Sequence, residues 1–172
     1  LNTPRHRDQA SGTSRHHGAV RISAKTDYAL RATAELAARA DQTWVKTEAV
    51  ASAQGIPLPF LLNIFAELRT AGLVQSRRGV EGGYRFARPP DTGSVADINR
   101  AVDGPWANIA GSRPEDMVYE GAATVLRDVW VALRATMRSV LETVTIADLA
   151  SGTLPDRVTS LLGPDDAWTA RR

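Results

Sequence analysis

Two prolines in the run Gly55-Ile56-Pro57-Leu58-Pro59 constrain this chain more than any other feature. Proline removes a backbone N–H and clashes with the preceding helical turn, so no helix continues through both. Pro59 suits the first turn of a new helix, where that N–H has no partner in any case. Gly55 supplies the stop for what comes before. Upstream, Thr47, Glu48 and Val50 start a helix that runs to Gln54; downstream, Phe60, Leu61, Ile64, Phe65 and Leu68 form a buried stripe ending near Ala71-Gly72. Two short helices joined by a tight glycine-containing turn are the sequence form of a helix-turn-helix.

The flanking segments extend the pattern. From Ser23, a possible cap, Ala24, Tyr28, Ala29, Ala32, Leu36 and Ala37 recur at three- and four-residue intervals, which predicts a first helix. Beyond the corner, Leu73 to Arg77 reads as a strand, Gly79-Val80-Glu81-Gly82-Gly83 as a turn, and Tyr84-Arg85-Phe86 as a returning strand. A hairpin directly after a helix-turn-helix is a wing. Val95 to Val102 predicts a fourth helix with Ala96, Ile98 and Ala101 inward, stopped by Asp103-Gly104-Pro105. The fold class expected is mainly α with a small β-hairpin wing, an α+β winged helix-turn-helix over 21–104.

Residues 105–121 lack periodicity and are expected to form a loop. From Ala122 to Val144 one apolar face persists for about six turns. Leu126, Val129, Trp130, Leu133, Met137 and Val140 lie on it, a stripe wider than the small preceding core can cover. A second copy of the chain is the economical partner; packing back onto its own domain is the alternative. Thr145 to Leu149 predicts a short closing helix, so the dimerisation unit is 122–152, and 153–172 reads as a mobile tail. Residues 1–20 hold Pro, Gly, Ser, Arg and His with almost nothing apolar and read as a flexible basic tail.

Charge must be located, because the formal net charge is only +2. Lysine and arginine outnumber carboxylates three to one in residues 1–20 and eleven to nine in 21–104, but seven stand against nine in 105–172. Arg69, Arg77, Arg78, Arg85 and Arg88 fall close together with only Glu81 opposing them, a candidate basic patch. No apolar run is long enough for a membrane span. With no cysteine and no secretory apolar core at the start, a cytoplasmic location is expected.

The blocks RISAKTDYALRA, VASAQGIPLPFLLNIFAELRTAGLVQSRRGVEGGYRFAR, INRAVDG and TIADLASG, in this order and spacing, resemble the Rrf2 family of bacterial winged-helix regulators from about Arg21 to Gly152. The resemblance implies a homodimer on a pseudo-palindromic site in double-stranded DNA, the third helix of each subunit in a major groove and each wing at a minor groove. It implies base or backbone contacts from Pro59, Leu62, Asn63 and Arg69. Arg78, beside Gly79 in the pattern R-G-x-x-G-G-Y, is implied in the minor groove, where negative potential favours arginine, and Arg77 on a phosphate. Arg21, Ser23, Lys25 and Tyr28 match the family's opening and are placed to hold phosphates; Lys25 also fits a solvated surface charge. Asn63 carries the bidentate group that suits adenine, while Pro59 and Leu62 suit a thymine methyl. Leu62 also fits ordinary core packing.

Many members of that family sense through an iron–sulfur cluster held by three cysteines in the loop before the long helix. Here the corresponding loop, PWANIAGSRPEDMVYEGAAT, has none, and His6, His16 and His17 all lie in the N-terminal tail. No metal or cofactor is therefore expected. The same inventory excludes cysteine- or histidine-centred catalysis, and no phosphate-cradling G-x-x-x-x-G-K-[ST] run occurs, so an enzyme is not expected. Control then rests either on a small-molecule or protein effector at 105–121, with a small molecule held against Trp106 and Tyr119, or on constitutive repression without any effector. The alternative reading is a winged-helix protein-interaction module without specific DNA binding.

Overall fold

The computed structural model describes residues 22–39, 41, 44–106, 109, 111–163 and 165–169. Arg21 and the N-terminal tail lie outside them. Helices α1 (Ala24–Ala38), α2 (Thr47–Gln54) and α3 (Leu58–Thr70) are followed by strands β1 (Val74–Arg77) and β2 (Gly83–Phe86), then α4 (Val95–Val102), α5 (Leu126–Leu141), α6 (Ile146–Ser151) and α7 (Asp156–Thr159).

The Ser23 hydroxyl caps α1 by accepting from the Thr26 N–H at 2.9 Å. Gly55 ends α2 in the left-handed conformation. α3 starts one turn later at an angle of 119° to α2, as the proline pair requires. Leu61, Ile64, Phe65 and Leu68 of α3 are buried with Ala29, Ala32 and Leu36 of α1, Val50 of α2, Val74 of β1 and Ile98 of α4 in one core. Phe60 is the exception to the expected stripe, being 61% exposed. At about 100° per residue, the Leu61-Ile64-Phe65-Leu68 set fills the inward arc and turns Phe60 out of it.

β1 and β2 pair antiparallel, with Val74 opposite Phe86 and Arg77 opposite Gly83. Val45 adds a third position to this ribbon: its N–H donates to the Tyr84 carbonyl at 2.9 Å and its carbonyl accepts from the Tyr84 N–H at 2.8 Å. The hairpin is thereby tied to the segment entering α2.

Two capping boxes join the ends of the fold. Ser94 with Asp97 opens α4 and Thr145 with Asp148 opens α6, and the two caps lie side by side. The Val95 N–H donates to the Val144 carbonyl and the Ile146 N–H to the Gly93 carbonyl, each at 2.9 Å. Ile146 is fully buried in the principal core and α6 packs on α1. The closing helix thus completes the winged-helix core that the sequence ends at 104.

α5 is shorter than the apolar pattern suggests, with 16 residues instead of the span from 122 to 144. Gly121–Ala123 forms a tighter 3₁₀ turn, and Val144 leaves the helix to pair with Val95. Among the described residues of 105–120 the chain is mostly loop, with a 3₁₀ turn at Pro114–Asp116. Beyond Gly152, where the sequence suggests a mobile tail, Val158 of α7 is buried with Val95 and Val144.

Candidate nucleic-acid interface

The wing turn is shaped by close backbone approach. The Gly82 N–H donates to the Gly79 carbonyl at 2.9 Å, closing the turn. A Cβ at Gly82 would lie 2.2 Å from the Arg77 carbonyl oxygen, and one at Gly83 would lie 2.3 Å from that of Val45. The two successive glycines therefore let the hairpin fold on itself and seat against Val45. The Tyr84 ring stacks on Phe65 of α3 with centroids 4.4 Å apart, fixing the wing relative to that helix.

Between wing and helices lies a cleft of about 490 Å³ walled by Lys46, Arg69, Arg77 and Arg78, with Glu48 also on its rim. Arg77, Arg78 and Gly79 are exposed. Among the described residues no carboxylate pairs with Arg69, Arg77 or Arg78. Arg69 donates to the Ser76 hydroxyl at 3.2 Å, a bond that links the end of α3 to β1. Arg85 donates to Gln75 Oε1 at 3.1 and 3.2 Å and lies 4.6 Å over the Trp44 ring. A solvent-facing edge rich in unneutralised guanidiniums suits a polyanion.

The exposed face of α3 carries Pro59, Phe60, Leu62 and Asn63. Leu62 is 45% exposed, so core packing does not account for it. Asn63 has no hydrogen-bond partner among the described residues and keeps its amide free. Phe60 was missed as a surface residue because its hydrophobicity matched the stripe beside it; the proline-set start of α3 was the signal that could have found it.

Of the opening residues, the described ones, Ser23, Lys25 and Tyr28, each have a partner within the protein. Ser23, besides capping α1, donates to Asp103 Oδ2. Lys25 pairs with Glu67 at 2.8 Å and donates to the Val102 carbonyl, joining α1 to α3 and the end of α4. Tyr28 is half-buried with Arg31 5.6 Å from its ring centroid. Thr26, unnoticed in the sequence, is fully buried, its hydroxyl 2.8 Å from Asn99 Oδ1 and 2.7 Å from Asp103 Oδ2.

α5 has no buried residue within the protomer. Val129 and Leu133 are 52% and 40% exposed, and Leu126, Trp130, Met137 and Val140 are only partly covered. Among the described residues no single helix is long and apolar enough to cross a membrane.

Known proteins share this arrangement. The Rrf2 family model, described as an iron-dependent transcriptional regulator, matches residues 22–152. An HTH-type transcriptional regulator of Mycobacterium tuberculosis is 52% identical over 142 residues, 83% of this chain and 88% of that protein. The HTH-type regulator CymR of Bacillus subtilis is 31% identical over 134 residues, 78% of this chain and 92% of that protein. The solved structure of CymR, the global cysteine regulator of B. subtilis, matches with a TM-score of 0.67 at 31% identity, covering 78% of this chain and 99% of its own. That of T. potens IscR gives 0.61 at 29% identity, covering 88% and 93%.

The description of the family as iron-dependent invites a test of the donor set. The chain has no cysteine and its three histidines stand at 6, 16 and 17. Among the described residues no three His, Cys, Asp or Glu side chains group as metal ligands. The donors present do not fit an iron–sulfur group, which takes thiolates with occasional imidazole.

Proposed function

Because the chain belongs to the Rrf2 family of transcriptional regulators, we propose that it represses transcription as a homodimer bound to a pseudo-palindromic promoter site, without using an iron–sulfur cluster. The observation that carries this reading is the exposed Arg77-Arg78-Gly79 wing edge, where neither arginine is ion-paired among the described residues, beside the open face of α3. α3 enters the major groove and the wing reaches the adjacent minor groove, where Arg78 meets the enhanced negative potential. Arg77 and Arg69 contact phosphates. Asn63 reads a base edge and Leu62 and Pro59 meet thymine methyls, so the operator is A·T-containing under α3. Of the residues at the start of the chain, Arg21 and Tyr28 add backbone contacts, while Ser23 and Lys25 act through their bonds to Asp103 and Glu67, which hold α1 in register with α3 and α4. Leu126, Val129, Trp130, Leu133, Met137 and Val140 form the seam between the two copies of α5.

Fluorescence anisotropy with duplexes tiled across the chain's own promoter region, titrated with salt, tests the proposal. One tile should bind at least 10³-fold more tightly than random duplex, the usual span between specific and non-specific binding. Equal affinity for all duplexes would sink the regulator reading and favour a protein-interaction module.

A further inference from the structure

The cleft between the wing and the helices has a floor as well as a cationic rim. Thr47, the first residue of α2, and Gly82 are buried in its wall, while Lys46, Arg69, Arg77 and Arg78 stand exposed around them. The antiparallel bridge between Val45 and Tyr84 puts Thr47 and Gly82, each two positions from the bridge, at the same level. Among the described residues none of the four cations forms an ion pair. The carboxylate in the wall, Glu48, is exposed on the rim and is itself unpaired among the described residues.

Two independent features of this floor call for an acceptor oxygen from outside the chain. Lys46, at the N-cap of the eight-residue α2, supplies no side-chain acceptor. The Ala49 and Val50 N–H groups turn back to the Lys46 carbonyl, but those of Thr47 and Glu48 have no acceptor among the described residues. The second feature is the Thr47 side chain, which is 7% exposed and whose hydroxyl has no hydrogen-bond partner among the described residues. That oxygen is still reachable. Among the described residues the polar side-chain atoms both fully enclosed and without a partner are the indole nitrogens of Trp106 and Trp130, and Thr47 Oγ1 is not one of them. A threonine placed only to begin a helix accounts for free N–H groups, but not for a buried hydroxyl left without a partner beside a cationic rim.

We propose that Thr47 and the N-terminus of α2 hold one backbone phosphate of double-stranded DNA. The Thr47 and Glu48 N–H groups and the Thr47 hydroxyl donate to its non-bridging oxygens, and Lys46, Arg69 and Arg77 supply charge from the rim. On the reading of the chain as a DNA-binding regulator, on which this site rests, α3 lies in a major groove and the wing in the adjacent minor groove. One phosphodiester strand must then pass between them, and the cleft is the gap between those two elements. Thr47 is therefore a positioning residue that fixes the wing relative to α3 along the duplex and carries no sequence information. Glu48 opposes the phosphate from the rim and holds the affinity down.

Anisotropy of the full chain on the preferred promoter tile, with its phosphates replaced one at a time by neutral methylphosphonates, tests the site. Replacing the phosphate at the boundary between the two grooves should weaken binding about tenfold or more, as loss of charge-assisted hydrogen bonds does. Thr47→Val keeps the side-chain shape and removes the hydroxyl. It should weaken the unmodified tile about five- to tenfold and shrink the penalty at that one phosphate about threefold or more, with the other penalties unchanged. Thr47→Ser should behave as the parent chain does, and Glu48→Gln should tighten binding about two- to fivefold. Unchanged affinity in Thr47→Val overturns the site. So does weakened affinity with the parent's profile of penalties, which would mark a threonine that serves only the fold. Either result beside a clear preference for one tile leaves the regulator reading standing. Preference for no tile overturns that reading, and the site is then decided by titrating the ¹⁵N-labelled chain with inorganic phosphate against chloride at matched ionic strength. Saturable shifts of the Thr47 and Glu48 amides, lost in Thr47→Val, would keep the phosphate site with a free phosphate as its source, and their absence would overturn it.

Discussion

A methyl group at position 83 would collide with the Val45 backbone at 2.3 Å, and neither partner is a flexible side-chain end. Gly83→Ala should therefore detach the wing from the α2 entry and cost about 1–3 kcal/mol in urea unfolding, the range for overpacked sites. Gly93→Ala is the control, since its Cβ would meet only Ile146 at 3.9 Å, and its midpoint should barely move. Arg78→Ala tests the wing contact: loss of a specific contact costs about 1–3 kcal/mol, so affinity for the promoter tile should fall about five- to 150-fold in anisotropy while the melting curve stays put. Unchanged affinity would remove Arg78 from the interface. Phe60 and Lys25 show why side-chain roles resist reading from sequence. Hydrophobicity and spacing put Phe60 in the buried stripe, yet it is exposed because the inward arc is already full. Lys25 matched a phosphate-binding opening, and the fold supplies Glu67 and the Val102 carbonyl as partners from elements 42 and 77 residues away, a distance no local pattern spans.

Helices are held to one another by polar links as well as by the core. Glu35 of α1 accepts from Gln54 of α2 at 2.8 Å and from Arg39 at 2.5 Å. The Gln54 amide, then Arg39, hold its pKa below the ordinary glutamate range. Because the folded pKa is the lower one, the stabilisation is present above the unfolded value of about 4.3 and is lost as pH falls through the folded value. Thermal midpoints should be flat above about pH 5 and fall below pH 4, and Glu35→Gln should flatten that acid limb. An unaltered limb would assign it to other carboxylates. In the proposed dimer, α5 is the element that carries association. Leu133→Arg should leave the protomer's melting intact, since Leu133 is 40% exposed, but give a monomer by light scattering and lose tight DNA binding. A persistent dimer would move the seam elsewhere.

With a formal net charge of only +2, the whole molecule has little general attraction for DNA, so affinity must come from one face. Each phosphate neutralised adds about −0.9 to the slope of log affinity against log salt. Arg77→Gln should reduce that slope by about one while leaving the preference among duplexes unchanged, and a changed preference would make Arg77 a base reader. At this scale the chain also closes on itself. α6 returns Ile146 to the core of the winged-helix unit after α5 has left it, so the stability of that unit and the position of α5 are coupled through the Ser94 and Thr145 caps.

The sequence by itself determined the elements of this protein. Prolines 57 and 59 set the helix-turn-helix corner, the glycines at 79 and 82 set the wing turn, and the chain has no cysteine to serve as a cluster ligand, because each follows from covalent structure and local backbone preference. Tertiary structure alone decided which charges are spent internally and which stay open. Lys25 is consumed by Glu67, Glu115 occupies the guanidiniums of Arg113 and Arg134, and Arg77 and Arg78 face solvent without a carboxylate. Those outcomes depend on which distant residues arrive within a few ångströms, and only the folded chain brings them there.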